Sequence, residues 1–460
     1  MQAIKLKRFL PLVYFFSTFT YMGNASALGL MEAYEAALAN DSVYRAAMHE
    51  NEAGQQFKII GRANLLPNIS ANYAYNRNDS DITSSGNGFS RSENRNYNSE
   101  NGGIQLRQPI FNLESWARYR QGNLQTQLSD KQFLVRKQEL IKRFFGLYAN
   151  ANYAEDLLAL SLAQRDSFKT QEEANKLMAV RGEGTKTALI ESQAKLGLSE
   201  AQVIEAQDGV ADGRNALAAM LGKEITTLDV LSENFNVQPL EQTDFDAWKN
   251  IALENNPEIA AQRESVDLAY QEIRKNHSGH MPRLDAVASL TKSKSDSTST
   301  FNQDIETKSI GLQLNVPIYA GGQVSAATAQ AEANHKKAQD DLETKTNEVL
   351  VDLRKQYNIV LSSTLKIAAL KQSVESAELL VTATKKSLLG GVRTNLDVLD
   401  ARKQLFEAKR DLSLARYNYL VAFVSLKKAA GTLTVADLEK IAPNFTPQQR
   451  LAIQSEALSD

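Results

Sequence analysis

The most constraining feature of this sequence is an internal duplication with an offset of about 210 residues. Residues 37–42 match residues 252–257, and residues 109–111 match residues 317–319. Further matches pair Gly182, Thr185, Glu191 and Leu196 with Gly391, Thr394, Asp400 and Leu405. Chance similarity between Ala-rich helices is the alternative, but it does not easily align the prolines of both copies. A period this long exceeds the unit of a solenoid, so the pattern predicts two copies of one structural repeat.

The N-terminal segment predicts export. Three basic residues precede an apolar run of about 14 residues and a small-residue cleavage site ending in Ala27, the arrangement of a secretory signal peptide. A membrane anchor is the alternative, but a spanning helix needs roughly 20 apolar residues. No later stretch of the sequence reaches that length. Membrane insertion of the mature chain would therefore have to use β-strands.

Each copy shows strands with one apolar and one polar face. Ile69, Ala71, Tyr73 and Tyr75 alternate with polar residues, which is the period of a strand. In the first copy we predict helix 31–64, strand 68–76, loop 79–101 and strand 104–110 closed by Pro109. In the second copy we predict strand 284–290, loop 293–307 and strand 310–316 before Pro317.

A very long helix follows the second strand of each copy. Residues 112–180 and 322–389 contain no internal proline, so each predicts a helix of about 100 Å. In the second of these, Leu353, Val360, Ile367, Val374 and Val381 recur every seven residues. Such a repeat indicates left-handed supercoiling against neighbouring helices. Glycine-bearing turns then predict return helices that end near residues 220 and 430.

These patterns predict the organisation of the chain. We predict a signal peptide over residues 1–27, a first repeat over 28–230 and a linker over 231–247, then a second repeat over 248–430 and a peripheral C-terminal segment over 431–460. The fold class is mainly α with β, internally duplicated, with long antiparallel coiled-coil helices.

Four strands per chain do not suffice to close a barrel. An open edge in lipid would leave backbone groups without hydrogen bonds, at several kcal/mol each. Several chains must therefore share one barrel: two would supply eight strands and a filled interior, and three would supply twelve and leave a pore. The alternative of a different class is a soluble periplasmic coiled-coil scaffold, which does not readily explain the apolar strand faces.

Other classes of function find little support in the composition. The chain has no cysteine, which removes disulfides, thiolate metal sites and cysteine nucleophiles. A net charge of −2 argues against a nucleic-acid partner. The spacing of His277 and His280 is a weak metal signal, because Gly279 interrupts the helix and no carboxylate follows at ligand spacing. We therefore expect no enzyme, no cofactor and no metal site.

Four segments resemble the TolC family of outer-membrane efflux and type I secretion channels. They are residues 280–285, 316–322, 391–401 and 415–420, and the resemblance covers essentially the whole mature chain. It implies a homotrimer in the outer membrane, with a twelve-strand β-barrel, a periplasmic α-barrel and an equatorial belt built from the two leftover segments. It also implies contact with lipid, a periplasmic adaptor (membrane fusion protein) and an inner-membrane transporter of the ABC or RND class.

Carboxylates at the start of the last long helix are candidates for a pore constriction. Asp397 and Asp400 lie three residues apart and so share one helix face, which in a trimer would stack two rings of carboxylates. The alternative for Asp397 is a helix cap formed with Thr394. Glu191 occupies the matching position of the first copy.

The resemblance also concerns a gating tip. Arg393 and Thr187 fit the family's bonding pattern, whereas Leu388 and Ala188 replace its Tyr and Asp, so the latch is expected to differ. Arg393 could instead pair with Glu183 or remain solvated. The expected adaptor-contact turns contain Gly182, Gly184, Thr185, Gly390, Gly391 and Thr394, for which a simple glycine-permitted helix reversal is the alternative.

The expected function is a passive exit duct through the outer membrane. Type I protein secretion is the favoured cargo class, because the chain lacks the N-terminal lipid-bearing cysteine common in drug-efflux branches. Multidrug or small-molecule efflux is the alternative.

Overall fold

The computed structural model describes residues 28–86, 88–232, 235–237, 240–295 and 303–446. The predicted signal peptide and the last part of the predicted C-terminal segment lie outside these residues. In chain order the helices are α1 Leu30–Asn40, α2 Ser42–Ala63, α3 Leu113–Val180, α4 Lys186–Leu221, α5 Phe245–Asn255, α6 Pro257–His277, α7 Gln323–Leu389, α8 Asn395–Ala429 and α9 Val435–Ile441. The strands are β1 Asn68–Gly86, β2 Phe89–Phe111, β3 Val230–Leu231, β4 Arg283–Ser295, β5 Gln303–Asn315 and β6 Phe445–Thr446.

The duplication is visible as a repeated order of elements. A short helix, a longer helix and a two-stranded hairpin precede a very long helix and its return helix in both copies. Asp41 and Asn256 occupy equivalent breaks between the first two helices, and each side chain caps the helix that follows. The predicted continuous helix over 31–64 is therefore wrong, because Asp41 takes an extended backbone and accepts a hydrogen bond from the Tyr44 amide at 2.7 Å.

The four longer strands form one antiparallel sheet in the order β1-β2-β4-β5. Ile69, Leu106, Ala288 and Ile310 lie side by side across it, so one face carries an apolar row as the alternation predicted. On neighbouring strands Arg107 forms an ion pair with the buried Asp285. Among the described residues, β1 and β5 each pair on one side only, which leaves two open edges.

The predicted loops are too long in both copies. Residues 79–101 continue β1 and β2 up to a turn at Gly88, and β4 and β5 extend to Ser295 and from Gln303. The polar composition suggested a loop, but cross-strand hydrogen bonds hold these residues extended; the Asn94 amide donates to both Asp79 and Asp81 at 2.8 Å.

Pro109 does not close β2. The strand continues to Phe111, and its register against β4 shifts between Pro109 and Phe111. Proline has no backbone N–H to donate to the ladder, so it is tolerated where a bulge interrupts the pairing.

The two long helices confirm the sequence prediction. α3 has 68 residues and α7 has 67, which gives each a length of about 100 Å. α3 packs against α4, and α7 packs against α8. Leu353, Val360, Ile367 and Val381 of the seven-residue repeat are buried in α7, and Val374 is half-buried against the same core. Within the described part of the chain, no helix combines the length and the apolar character needed to cross a bilayer.

The two segments outside the repeats meet halfway along the helices. β3 pairs with β6, and Phe445 packs edge-on against Tyr148 with ring centroids 5.3 Å apart. The buried Lys427 ammonium forms ion pairs with Glu241 and Asp437, one from each segment. The hydrogen bond and charge of Lys427 hold the pKa of Glu241 below its usual value. The predicted domain boundaries themselves stay a prediction.

Close approach of α2 and α3 depends on glycine. A Cβ at Gly122 would lie 2.4 Å from the Phe57 carbonyl oxygen and 3.0 Å from the Gly61 Cα, whereas a Cβ at Gly146 of the same helix would meet open space in the protomer.

We expect Gly122→Ala to lower the free energy of unfolding by about 1–2 kcal/mol, because the clash outweighs the gain in helix propensity. The matched control Gly146→Ala should leave stability unchanged or raise it by up to about 1 kcal/mol. Thermal melting of the detergent-solubilised protein, followed by circular dichroism, measures both. Equal melting temperatures for the two variants would contradict this packing.

Candidate functional site

The turns of the two long helical hairpins lie together at the end far from the sheet. They enclose a cavity of about 400 Å³ to which both copies contribute. Its lining includes Asn175, Glu183, Thr187, Ala188, Glu191, Leu388 and Asn395. The structure thus brings most of the predicted tip residues to one place.

Two glycines make the turns possible. Gly182 has φ 75° and Gly391 has φ 72°, a left-handed conformation that side chains disfavour. Gly184 is needed for another reason, since a Cβ there would lie 3.0 Å from the Met178 Cβ. Gly390 has an ordinary φ of −82°. Helix reversal therefore explains three of the four glycines, and their role in adaptor contact stays a prediction.

Threonines cap the return helices at both tips. The Thr185 hydroxyl accepts from the Ala188 amide at 3.1 Å. Thr394 and Asp397 form a reciprocal capping box, in which the Asp397 carboxylate accepts from the Thr394 amide at 2.8 Å. This hydrogen bond is the main reason that the pKa of Asp397 is held below its usual range. The cap considered for Asp397 is present, and the ring of carboxylates stays a prediction.

Arg393 has a different partner from those considered. Its guanidinium contacts the Asp397 carboxylate at 3.3 Å, one helical turn away. Arg393 therefore does not pair with Glu183, and solvent is not its only partner.

Asp400 is the most exposed of the candidate carboxylates. Its side chain is 63% exposed and forms an ion pair with the Lys195 ammonium of α4, which joins the two hairpins. Glu191 lies one helical turn before Lys195, is half-buried and lines the tip cavity. Each carboxylate thus has its own setting: Asp397 caps α8, Asp400 faces Lys195, and Glu191 faces the cavity.

An amide network that the sequence analysis missed connects the hairpins. The Gln171 amide donates to Asn175 at 3.2 Å and to Asn395 at 3.1 Å, and the Asn175 amide donates to the Ala188 carbonyl at 3.2 Å. Deeper along the helices, the Arg402 guanidinium donates to the Ser167 carbonyl at 2.9 Å. Burial lowers the pKa of Arg402.

A signal for this network was present in the sequence. Gln164, Phe168, Gln171 and Asn175 recur at intervals of four, three and four residues, the spacing of the buried seam of a coiled coil. Three amides in such a seam indicate hydrogen bonding across the interface. The predicted tip residues Leu388 and Ala188 do line the cavity, and Ala188 joins the amide network through its backbone carbonyl group.

No metal site emerges in the described residues, where no cluster of three or more His, Asp or Glu could hold an ion. The His277 and His280 rings lie with centroids 6.3 Å apart at the sheet end of α6.

We expect Thr394→Ala to loosen the first turn of α8, because the lost cap costs about 1 kcal/mol. Amide hydrogen exchange in that turn should become roughly fivefold faster. Thr187→Ala, an exposed threonine in the opposite turn, is the matched control and should leave exchange at α8 unchanged. Equal exchange rates in wild type and Thr394→Ala would show that the cap does not hold this turn.

A sheet with open edges, fused to duplicated helical hairpins that meet at a charged tip, defines a subunit of an outer-membrane channel. The profile of the family described as outer membrane efflux protein matches residues 33–223 and 248–432, which are the two copies of the repeat. The chain belongs to this family.

Individual relatives agree with that assignment. The chain is similar to the alkaline protease secretion protein AprF of Pseudomonas aeruginosa, with 42% identity over 93% of this chain and 90% of the relative. It is 36% identical to the proteases secretion protein PrtF of Dickeya chrysanthemi, over 92% of each chain. The outer membrane protein TolC of Vibrio cholerae is 28% identical over 94% of this chain and 97% of its own. The resemblance to TolC is thereby confirmed.

The fold is also that of solved channel structures. The Campylobacter jejuni CmeC outer membrane channel superposes with a TM-score of 0.76 at 17% identity, over 90% of this chain and 89% of that one. The protein is therefore an outer-membrane protein with a long helical extension, and the predicted location is confirmed.

Proposed function

We propose that three copies of this chain form the outer-membrane outlet of a type I protein-secretion system. The outlet conducts its substrate passively from an inner-membrane transporter and its periplasmic adaptor to the outside. The observation that carries the proposal is the open four-stranded sheet, with one apolar face, joined to helices of about 100 Å.

The sheet supports a shared barrel. β1 and β5 each have one unpaired edge among the described residues. Backbone groups in lipid must be paired, so β1 of one copy is expected to meet β5 of the next. Three copies supply twelve strands, and a barrel of that size leaves an aqueous lumen between the polar faces.

The helices support a conduit across the periplasm. α3 and α7 are far longer than a bilayer is thick, and their mixed polar surface suits water on both sides. The tip turns around Gly182 and Gly391 stand at the end far from the sheet. That position is where an adaptor and an ABC or RND transporter would meet the channel.

The relatives support a protein as the cargo. AprF and PrtF are both named as protease secretion proteins, and each matches nearly the whole chain. TolC and the efflux proteins match at lower identity, which makes small-molecule efflux the second candidate. A soluble periplasmic scaffold does not agree with membership of an outer-membrane family.

Deletion of the gene tests the cargo class. We expect a deletion strain to keep inside the cell a protease that the wild type secretes, because the protease would lack its outlet through the outer membrane. Complementation should restore secretion. As a control, susceptibility to small toxic compounds should change little. Normal protease secretion together with strong drug sensitivity would favour efflux and contradict the proposal.

The tip carboxylates supply a second, electrostatic test. We expect Asp400→Asn to lower the cation preference of single channels in planar bilayers by roughly twofold, because a ring of charges selects ions at a constriction. Lys195→Gln should raise it, since the partner of Asp400 is lost. Asp397→Asn should lower the cation preference less than Asp400→Asn does, because the Asp397 carboxylate is already bound by Thr394 and Arg393.

The matched control is Glu332→Gln, the same change of charge on α7 near the sheet. It should leave the reversal potential in a salt gradient unaltered. If Asp400→Asn and Glu332→Gln give the same reversal potential as the wild type, the carboxylate-ring proposal is wrong.

A further inference from the structure

A second cavity, of about 520 Å³, lies where the helices meet the sheet. Leu113 lines it two residues after β2 ends at Phe111, and Met281 lines it two residues before β4 begins at Arg283. The rest of the lining comes from the first turns of α3, the last turns of α6 and the adjoining Ser278. The cavity therefore lies at the level where the sheet leaves the membrane.

The cavity belongs to a single protomer. The helices at this level pack side by side in the order α2, α3, α6 and α7. α3 and α6 are the inner pair, so a neighbouring copy that pairs with β1 or β5 would meet α2 or α7 instead. The groove between α3 and α6 stays open in a ring of such chains.

The charge of the cavity is positive. Arg120 and Arg274 line it, and no acidic residue does. The two nearest acids on the same helices are already engaged. Glu114 forms an ion pair with Arg118 at 2.7 Å, and Glu272 accepts from Gln121 at 2.7 Å and from Lys275 at 2.6 Å. Within the described residues neither Arg120 nor Arg274 has a carboxylate partner.

A polar group inside the cavity also lacks a partner. The Gln271 side-chain oxygen is buried without a hydrogen bond. A buried amide of this kind costs free energy until it is paired. Rotation of the amide presents its NH₂ group instead, which is a donor for an anionic oxygen.

The remaining lining is mainly aromatic and apolar, with His277 and Ser278 as its other polar residues. Trp116 is 52% exposed and packs edge-on against Tyr119 with ring centroids 5.8 Å apart, and Tyr270 is 49% exposed. Exposed Trp and Tyr at the end of membrane strands are typical of the boundary between lipid and water. The cavity thus has a rim of aromatic rings around two arginines.

We propose that this cavity binds the phosphate headgroup of an anionic phospholipid from the periplasmic leaflet, an inference that rests on the proposed membrane position. Arg120 and Arg274 pair with the phosphate, and the Gln271 amide donates to it. Trp116 and Leu113 contact the glycerol and the first methylene groups. Basic pockets beside membrane-spanning segments bind anionic headgroups in this way, and the cavity volume suits a small ligand. The lipid would fix the height of the barrel relative to the leaflet.

Titration of the detergent-solubilised trimer with phosphatidylglycerol, followed by native mass spectrometry, tests the proposal. We expect one tightly bound phosphatidylglycerol per chain and much weaker binding of phosphatidylcholine with the same tails. Arg120→Gln with Arg274→Gln should weaken phosphatidylglycerol binding by roughly tenfold or more. Arg274→Gln alone should weaken phosphatidylglycerol binding by roughly threefold. This single variant provides the test if the double variant does not fold.

The matched control is Arg118→Gln, an exposed arginine of the same helical turn that is paired with Glu114 and does not line the cavity. It should bind phosphatidylglycerol as the wild type does. The proposal is wrong if the wild type binds the two lipids with equal affinity. It is also wrong if Arg118→Gln loses as much affinity for phosphatidylglycerol as the cavity variants do. Displacement of the lipid by millimolar inorganic phosphate would identify a soluble anion instead and would also overturn it.

Single-channel recording of the same preparations separates this inference from the proposed function. Channels that conduct normally but show no lipid preference contradict the headgroup site alone. Preparations of wild type that never insert or conduct contradict the channel itself.

Discussion

The unpaired edges of one small sheet determine the rest of this molecule. β1 and β5 carry backbone groups that, in the described residues, have no partner on their outer side, and a membrane offers no water to pair them. In the proposed assembly, other copies of the chain pair with these edges. If the sheets close into a ring in this way, the helices that leave each sheet continue as a ring too. The proposed ring of tip carboxylates and the proposed headgroup site both depend on that arrangement.

The sequence predicted the repeated elements because their periodicities are strong. The seven-residue repeat from Leu353 to Val381 indicates one apolar face, and α7 buries four of its five residues and half-buries Val374. The lengths of β1 and β2 were underestimated, because asparagine and aspartate pair across strands as well as they form turns. The break at Asp41 was missed for a related reason, since a cap residue inside an apolar pattern differs little from an ordinary polar position.

The tip was only partly predictable. Spacing puts Asp397 and Asp400 on one helix face and indicates the local Thr394 cap as an alternative for Asp397, but it does not show that Lys195 pairs with Asp400. That ion pair depends on how two hairpins that are about 200 residues apart in the sequence lie against each other. The seam amides Gln171 and Asn175 carried a readable signal, yet their partner Asn395 becomes identifiable only when both copies are in contact.

The stoichiometry of the detergent-extracted protein tests the central claim most directly. Native mass spectrometry of the purified outer-membrane fraction should give the mass of three mature chains, and mild denaturation should release intact protomers. A stable single chain that keeps its strands in detergent would contradict the account, because its sheet edges would then need no partner.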